Sequence, residues 1–244
     1  MRLQGGIKIY RKLRCRKGHG VHSPFVYSLI TKVIEEKHPY YVFERIESLR
    51  KQLQHNGNGF GSMLKAGSQS KRYGELLFRL VLFFRCKQVL QVGASLGMTT
   101  CYLAAADSGC RCFVIAQDAD SLQLTQQLTA QLNLENVRIV AGDYFSELDR
   151  LRGNAAAFDL IFVNVADPEL CNTILELCSN STMKDRVIVI DGINRTRPMR
   201  ECWKQIKKDP KVKISIDLYW LGLVIFREKI EKQHYNVYFN NGEK

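Results

Sequence analysis

The stretch Lys87-Gln-Val-Leu-Gln-Val-Gly-Ala-Ser-Leu-Gly-Met-Thr-Thr100 constrains this chain more than any other. Val89, Leu90 and Val92 make a short apolar run, which suits a strand buried on both faces of a parallel sheet. Gly93-Ala-Ser-Leu-Gly97 then turns the chain, and residues 98–106 continue with helix-compatible composition. A strand, a glycine turn and a helix start make a ligand cradle. Glycine lets backbone approach a ligand closely, and the first N–H groups of the helix have no partner within it. The spacing is G-x-x-x-G. It is neither the G-x-G-x-x-G of dinucleotide sites nor the phosphate loop that ends in Lys. A plain glycine-containing turn between strand and helix fits the same residues.

The alternation continues along the chain. Residues 112–116 read as a second strand and 120–132 as a helix with Leu122, Leu128 and Leu132 apolar. Residues 137–141 read as a third strand that ends in Gly142-Asp143. Residues 158–163 make a fourth and 186–190 a fifth, closed by Asp191. Strands alternating with helices predict a parallel, doubly wound sheet with ligand at the carboxyl ends of the strands. The tail differs: 212–219 and 223–227 are strands separated only by Trp220-Leu-Gly222. So short a link forces an antiparallel hairpin, because a parallel crossover needs a dozen or more residues. Residues 233–239 can add an edge strand.

Ahead of this unit, Leu3, Ile7, Tyr10 and Leu13 recur at helical spacing, and Gly18-His-Gly20 ends that arm. Ser23-Pro24 is an N-cap followed by proline at the first helical position, with Phe25, Leu29, Val33 and Ile34 on one face. Pro39 starts another helix, with Val42, Ile46, Leu49 and Leu53 inward. Residues 55–72 are rich in Gly, Ser and Asn and read as a loop, either a cover over a site or a linker. The expected organisation is a basic helical extension and loop over 1–72, then a Rossmann-like α/β domain over 73–244.

Arg2, Lys8, Arg11, Lys12, Arg14, Arg16 and Lys17 precede any acid, and Lys204, Lys207, Lys208, Lys211 and Lys213 form a second cluster in a chain of net charge +12. Such charge suits contact with a polyanion, nucleic acid or an anionic membrane surface. A solvated basic arm, or an arm packed on the α/β domain through its apolar stripe, accounts for it equally. The apolar run 76–84 is interrupted by Arg79 and is too short to span a bilayer, and residues 1–20 lack the apolar core of a signal peptide. A cytoplasmic protein is expected. The eight cysteines include no C-x-x-C, and Cys110-Arg-Cys112 has no His or second pair at zinc spacing, so no metal site is expected there.

The strand order, the terminal hairpin and the G-x-x-x-G turn resemble the class I S-adenosylmethionine-dependent methyltransferases over about 73–229. His19-Gly-Val-His-Ser-Pro-Phe25, Leu76-Leu-Phe-Arg79, the Asp191-Gly-Ile-Asn194 turn with Met199 and Trp203, and Gly222-Leu-Val-Ile-Phe-Arg227 together resemble a bacterial group of such proteins with an N-terminal helical extension. Its Rossmann half is similar to the catechol-type O-methyltransferases. The resemblance implies S-adenosylmethionine as cofactor. It places Gln91, Gly93, Ala94, Ser95 and Gly97 around the methionine part, Gln117 and Asp118 by the ribose, Asp143 by the adenine and Asn164 by the sulfonium. Asp191 and His22 are the candidate bases.

The sequence departs from that family pattern at several positions. Gln91, Gln117 and Asn164 stand where acids are usual, though Asp118 adjoins Gln117. Metal-dependent relatives hold a cation at positions matching Asn164, Asp191 and Gly192, and one carboxylate with one amide is a poor magnesium site. The reading is therefore metal-independent methyl transfer to an oxygen of a small or medium substrate. The alternative is a degenerate methyltransferase fold that binds a ligand, partner or nucleic acid without turnover. A nicotinamide-dependent oxidoreductase is disfavoured by the glycine spacing and the hairpin. Methylation of nitrogen is disfavoured because Asn164-Val-Ala-Asp167 lacks a Pro-Pro-aromatic turn. Simpler readings give Asp143 and Asp191 as loop-capping acids, Asp167-Pro168 as a helix start, and Trp203 and Trp220 as packing residues.

Overall fold

The computed structural model describes residues 20–55, 61–64, 70–151, 157–179, 186–227 and 230–240. The basic arm and most of the expected loop, at 56–60 and 65–69, lie outside the described residues. The described strands are β1 (Gln88–Val92), β2 (Arg111–Ala116), β3 (Val137–Ala141), β4 (Leu160–Val163), β5 (Arg186–Asp191), β6 (Ile214–Asp217), β7 (Leu221–Phe226) and β8 (Gln233–Asn236). They form one sheet in the order β3-β2-β1-β4-β5-β7-β6-β8. β1 to β5 are parallel. β7 runs antiparallel to both β5 and β6, as the short link requires, and β8 pairs parallel with β6 at the edge. The turn of the hairpin lies two residues earlier than the sequence implied, with a link of the same length. β6 ends at Asp217 and β7 begins at Leu221, because Leu218 N–H bonds Leu221 O at 2.8 Å and Tyr219 takes φ +77°.

Successive residues of each strand serve opposite faces, as the two-residue pleat dictates. Val89, Phe162, Val187 and Ile225 face one core, while Leu90, Ile161, Ile188 and Val224 face the other. The first face is covered by α1 (Pro24–Leu29) and α3 (Lys71–Phe84), and the second by α7 (Pro168–Ser179) and α8 (Arg197–Lys208). Ser23 caps α1 by accepting from Val26 N–H, with Pro24 in the first turn. A π-helical turn, Ile30–Ile34, continues it. The buried Arg79 side chain holds that turn, donating Nε–H to Val33 O at 2.9 Å. Burial lowers the Arg79 pKa, with Glu75 opposing.

A third cluster packs α2 (Tyr41–His55) on α4 (Met98–Ala104) and α5 (Ala119–Gln131). Phe43 and Tyr102 rings lie 5.5 Å apart, and Tyr102 Oη–H donates to Glu47 at 2.9 Å. The expected loop is narrower than the composition indicated. Residues 61–64 are helical, and Leu64 is buried with Leu96 and Met98 beside the glycine turn. Of the helices ahead of Tyr73, α1 and the π-helical turn share the core of the sheet, whereas α2 packs in this third cluster. No helix among the described residues is long and apolar enough to cross a membrane.

Candidate functional site

The strand order reverses between β2-β1 and β4-β5, so the crevice of a doubly wound sheet opens at the carboxyl ends of β1 and β4. Gly93 ends β1 there with φ +91°. A Cβ on it would stand 2.8 Å from Val165 Cγ2 and 3.3 Å from Asn164 O, so only glycine lets the two strand ends approach this closely. The turn that follows is strained: Ser95 and Leu96 take φ +42° and +62°. Non-glycine residues held there cost energy and persist where the surroundings over-determine them. Ala94 and Leu96 are buried, leaving Ser95 the partly exposed member of the turn.

Gln91 differs from its expected role. Its side chain is buried, and Nε2 donates to Gly93 O at 2.8 Å, Ala94 O at 3.3 Å and Thr99 Oγ1 at 3.1 Å. Thr100 Oγ1–H donates to Gln91 Oε1 at 2.9 Å. The amide therefore braces the turn instead of facing a ligand. A carboxylate here would oppose two carbonyl oxygens, which explains glutamine at this position. Thr99 and Thr100 were not singled out in the sequence. Their signal was two hydroxyl residues opening the helix directly after the turn.

Gln117, beyond the end of β2, is exposed. Asp118 caps α5, its carboxylate accepting from Ser121 N–H at 2.7 Å. Asp143 caps α6 (Tyr144–Arg150), accepting from Ser146 N–H at 2.9 Å and Ser146 Oγ–H at 3.0 Å. Those bonds hold its carboxyl below the usual carboxylate range. Asp118 follows β2, which pairs with β1, and Asp143 follows β3, one strand further out; both have capping duties.

Asn164 follows β4 beside Gly93, and its Nδ2 is buried without a hydrogen-bond partner among the described residues. An orphaned buried donor is costly, and a bound acceptor is one explanation for keeping it. Asp191 ends β5, is 3% exposed, and pairs with Arg195 Nη2 at 2.9 Å. Arg195 carried no role in the sequence reading. Its only signal was a cation four residues beyond an acid. A Cβ on Gly192, at φ +75°, would lie 3.2 Å from Ala166 Cβ and 3.3 Å from Arg195 Nε. The Arg195 side chain thus folds back across the end of β5 toward the loop after β4. Asn164, Asp191 and Gly192 do not fit a divalent cation: the lone carboxylate is already paired with a guanidinium. Among the described residues no three His, Cys, Asp or Glu side chains are placed to share a metal ion.

His22 is not brought to this crevice. Phe25, three residues later, packs on Phe83 and Phe84 at the end of α3 and lies 4.2 Å under the Arg227 guanidinium. Phe226 pairs with Arg186, the first residue of β5, whereas Asp191 is the last. β5 is six residues long, which at ~3.3 Å per residue separates the two ends by roughly 16 Å. His22 itself is exposed, three residues ahead of Phe25 at the amino end of the strands.

No protein-family model and no curated protein matches the chain. Solved structures do. The O-methyltransferase TomG of Streptomyces achromogenes, in complex with SAM, is 18% identical, with a TM-score of 0.57 over 82% of this chain and 93% of that one. The O-methyltransferase of Bacillus cereus, in complex with SAH, is 17% identical, with a TM-score of 0.57 over 82% and 94%. SAH-bound PaMTH1 of Podospora anserina is 13% identical, with a TM-score of 0.59 over 79% and 90%. The chain therefore has the fold of the class I methyltransferases, with helices on both sides of a mostly parallel sheet that ends in antiparallel strands.

Proposed function

We propose that this chain, built on the class I methyltransferase fold, transfers a methyl group from S-adenosylmethionine to an oxygen of a small or medium acceptor without a divalent metal. The observation that carries the reading is the juxtaposition of Gly93 with Asn164. Gly93 and Asn164, whose buried Nδ2 lacks a partner among the described residues, meet at the carboxyl ends of β1 and β4, the switch point. The likeness to SAM- and SAH-bound O-methyltransferases supports the same cofactor here. When bound, that cofactor supplies an electrophilic methyl on a sulfonium, which an in-line acceptor oxygen displaces.

The protein's part is to hold the two reactants in line and keep water out. Gly93, Ala94, Ser95 and Gly97 form the wall for the methionine part, and Gln91 keeps that wall rigid from behind. Gln117 offers an amide to the ribose. Asp118 and Asp143 each keep lone pairs beyond those used in capping, and Asp143 can accept from the adenine amine. Asn164 donates toward the methyl-transfer position. Asp191 orients Arg195 and is not assigned as a base.

A second reading, binding without turnover, draws on the same residues: Gln91 faces inward and both acids have capping duties. Calorimetric titration with S-adenosylmethionine and S-adenosylhomocysteine, with and without a chelator, tests the proposal. Binding of both, unchanged by chelator, is expected. Failure of either to bind would exclude methyl transfer.

A further inference from the structure

We propose that Arg195 recognises the acceptor, and that the acceptor carries a carboxylate on a flat apolar body. The inference rests on the methyl-transfer reading and names the substrate class of that site. Arg195 is anchored from one side only: the side chain of Asp191 is 4% exposed and that of Arg195 is 54% exposed. A guanidinium has five N–H donors in a fixed fork, so one bond to Asp191 leaves an edge for a second carboxylate. Its direction is set by Gly192, across which the side chain folds to reach the loop after β4. The cation therefore sits between the ends of β4 and β5, one strand from the Gly93–Asn164 crevice.

The surroundings favour an anion. Arg197 and Arg200 are exposed on the same segment, and Arg200 Nη1 donates to Asn194 O at 3.3 Å. The neighbouring acids are engaged elsewhere. Asp167 caps α7 through Glu169 N–H and Leu170 N–H, and Glu201 pairs with Lys204 at 2.9 Å. The turn between β6 and β7 adjoins the Arg195 segment with two aromatic residues. The half-buried Tyr219 and Trp220 rings meet edge to face at 4.9 Å. Their backbone is fastened to the Arg195 turn: Gly192 and Ile193 N–H groups donate to Trp220 O, and Asn194 Nδ2 donates to Tyr219 O at 2.6 Å. Tyr219 is held at φ +77° by its N–H bond to Asp217 Oδ1. The Trp220 Nε1–H is buried without a partner among the described residues. A guanidinium selects a planar carboxylate by shape as well as charge.

The test uses the full chain saturated with S-adenosylhomocysteine, titrated with 4-hydroxybenzoate and its neutral isostere 4-hydroxybenzamide. The benzoate should bind about tenfold or more tightly, as one well-formed charge-assisted contact provides, and rising salt should shrink that preference. Arg195→Gln alone strands the buried Asp191 carboxylate, so the charge-balanced pair Asp191→Asn with Arg195→Gln is made in parallel. In it the preference should vanish while S-adenosylhomocysteine affinity stays unchanged; Arg195→Lys should retain part of the preference. Equal binding of the two probes, binding of neither, or a preference that survives the double exchange would overturn the proposal. If S-adenosylhomocysteine itself does not bind, the methyl-transfer reading falls. The same two probes titrated without it then decide the role of Arg195 alone.

Discussion

A Cβ on Gly97 would lie 2.8 Å from the Cα of Thr125, so the second glycine of the turn is required by packing against α5. Gly93, the first, is closed in by Val165 Cγ2 and Asn164 O. Both glycines of the motif are thus required by packing, Gly97 against the backbone of α5 and Gly93 against the loop after β4.

Gly97→Val should destabilise the fold. Overpacking costs about 1–3 kcal/mol and a side chain at φ +77° adds about 1–2 kcal/mol. A melting temperature lower by roughly 5–15 °C is expected. Gly93→Ala meets Val165 Cγ2 and Asn164 O at φ +91°, so it too should lower the melting temperature, and it should remove the thermal shift given by S-adenosylhomocysteine. A Gly97→Val protein that melts like the parent would show that the contact with Thr125 is not as close as described.

Gln91→Glu places a carboxyl against Gly93 O and Ala94 O in a buried site. The loss should be about 1–3 kcal/mol, and more when the group is ionised. Burial against carbonyls raises the folded pKa above the unfolded value of about 4.3. The sign follows: the variant is least penalised below the unfolded pKa, and the penalty grows as pH rises through the folded pKa. Melting curves at mildly acidic and alkaline pH should show a widening gap from the parent. A constant gap would contradict the inward orientation of the amide.

Asn164→Ala removes an orphaned buried donor. The free protein should melt at the same temperature or slightly higher. S-adenosylhomocysteine affinity should fall roughly 3–10-fold, the net worth of one hydrogen bond. An unchanged affinity would take Asn164 out of the site.

His234 shares a 2.6 Å hydrogen bond with the buried Ser215 hydroxyl. Burial, then Lys232 and Lys207, hold its pKa below the usual histidine value of 6.5. A depressed histidine favours the fold when neutral. Its contribution is present above pH 6.5 and is lost as pH falls through the folded pKa. Melting temperatures between mildly acidic and neutral pH should decline toward acid. His234→Gln should flatten that part of the curve, and an unaltered slope would assign it to other groups.

The sequence by itself determined the order and direction of the elements. Alternation of apolar runs with helical segments, glycine after β1 and a three-residue link between β6 and β7 are local signals, and parallel strands followed by an antiparallel hairpin follow from them. Ser23-Pro24 and Asp167-Pro168 marked helix starts for the same reason, since capping acts within one turn. The site was legible only in part. Gly93 and Asn164 fall at the ends of β1 and β4, as the strand pattern implied. Only the tertiary structure turned Gln91 inward, set Gly97 against Thr125, placed His22 at the opposite end of the sheet from Asp191, and folded Arg195 across Gly192. Each of these depends on which atoms from distant segments come within a few ångströms. Residue type and spacing do not encode that, because one amide, glycine or arginine satisfies its hydrogen bonds or contacts in whichever way the assembled neighbours permit.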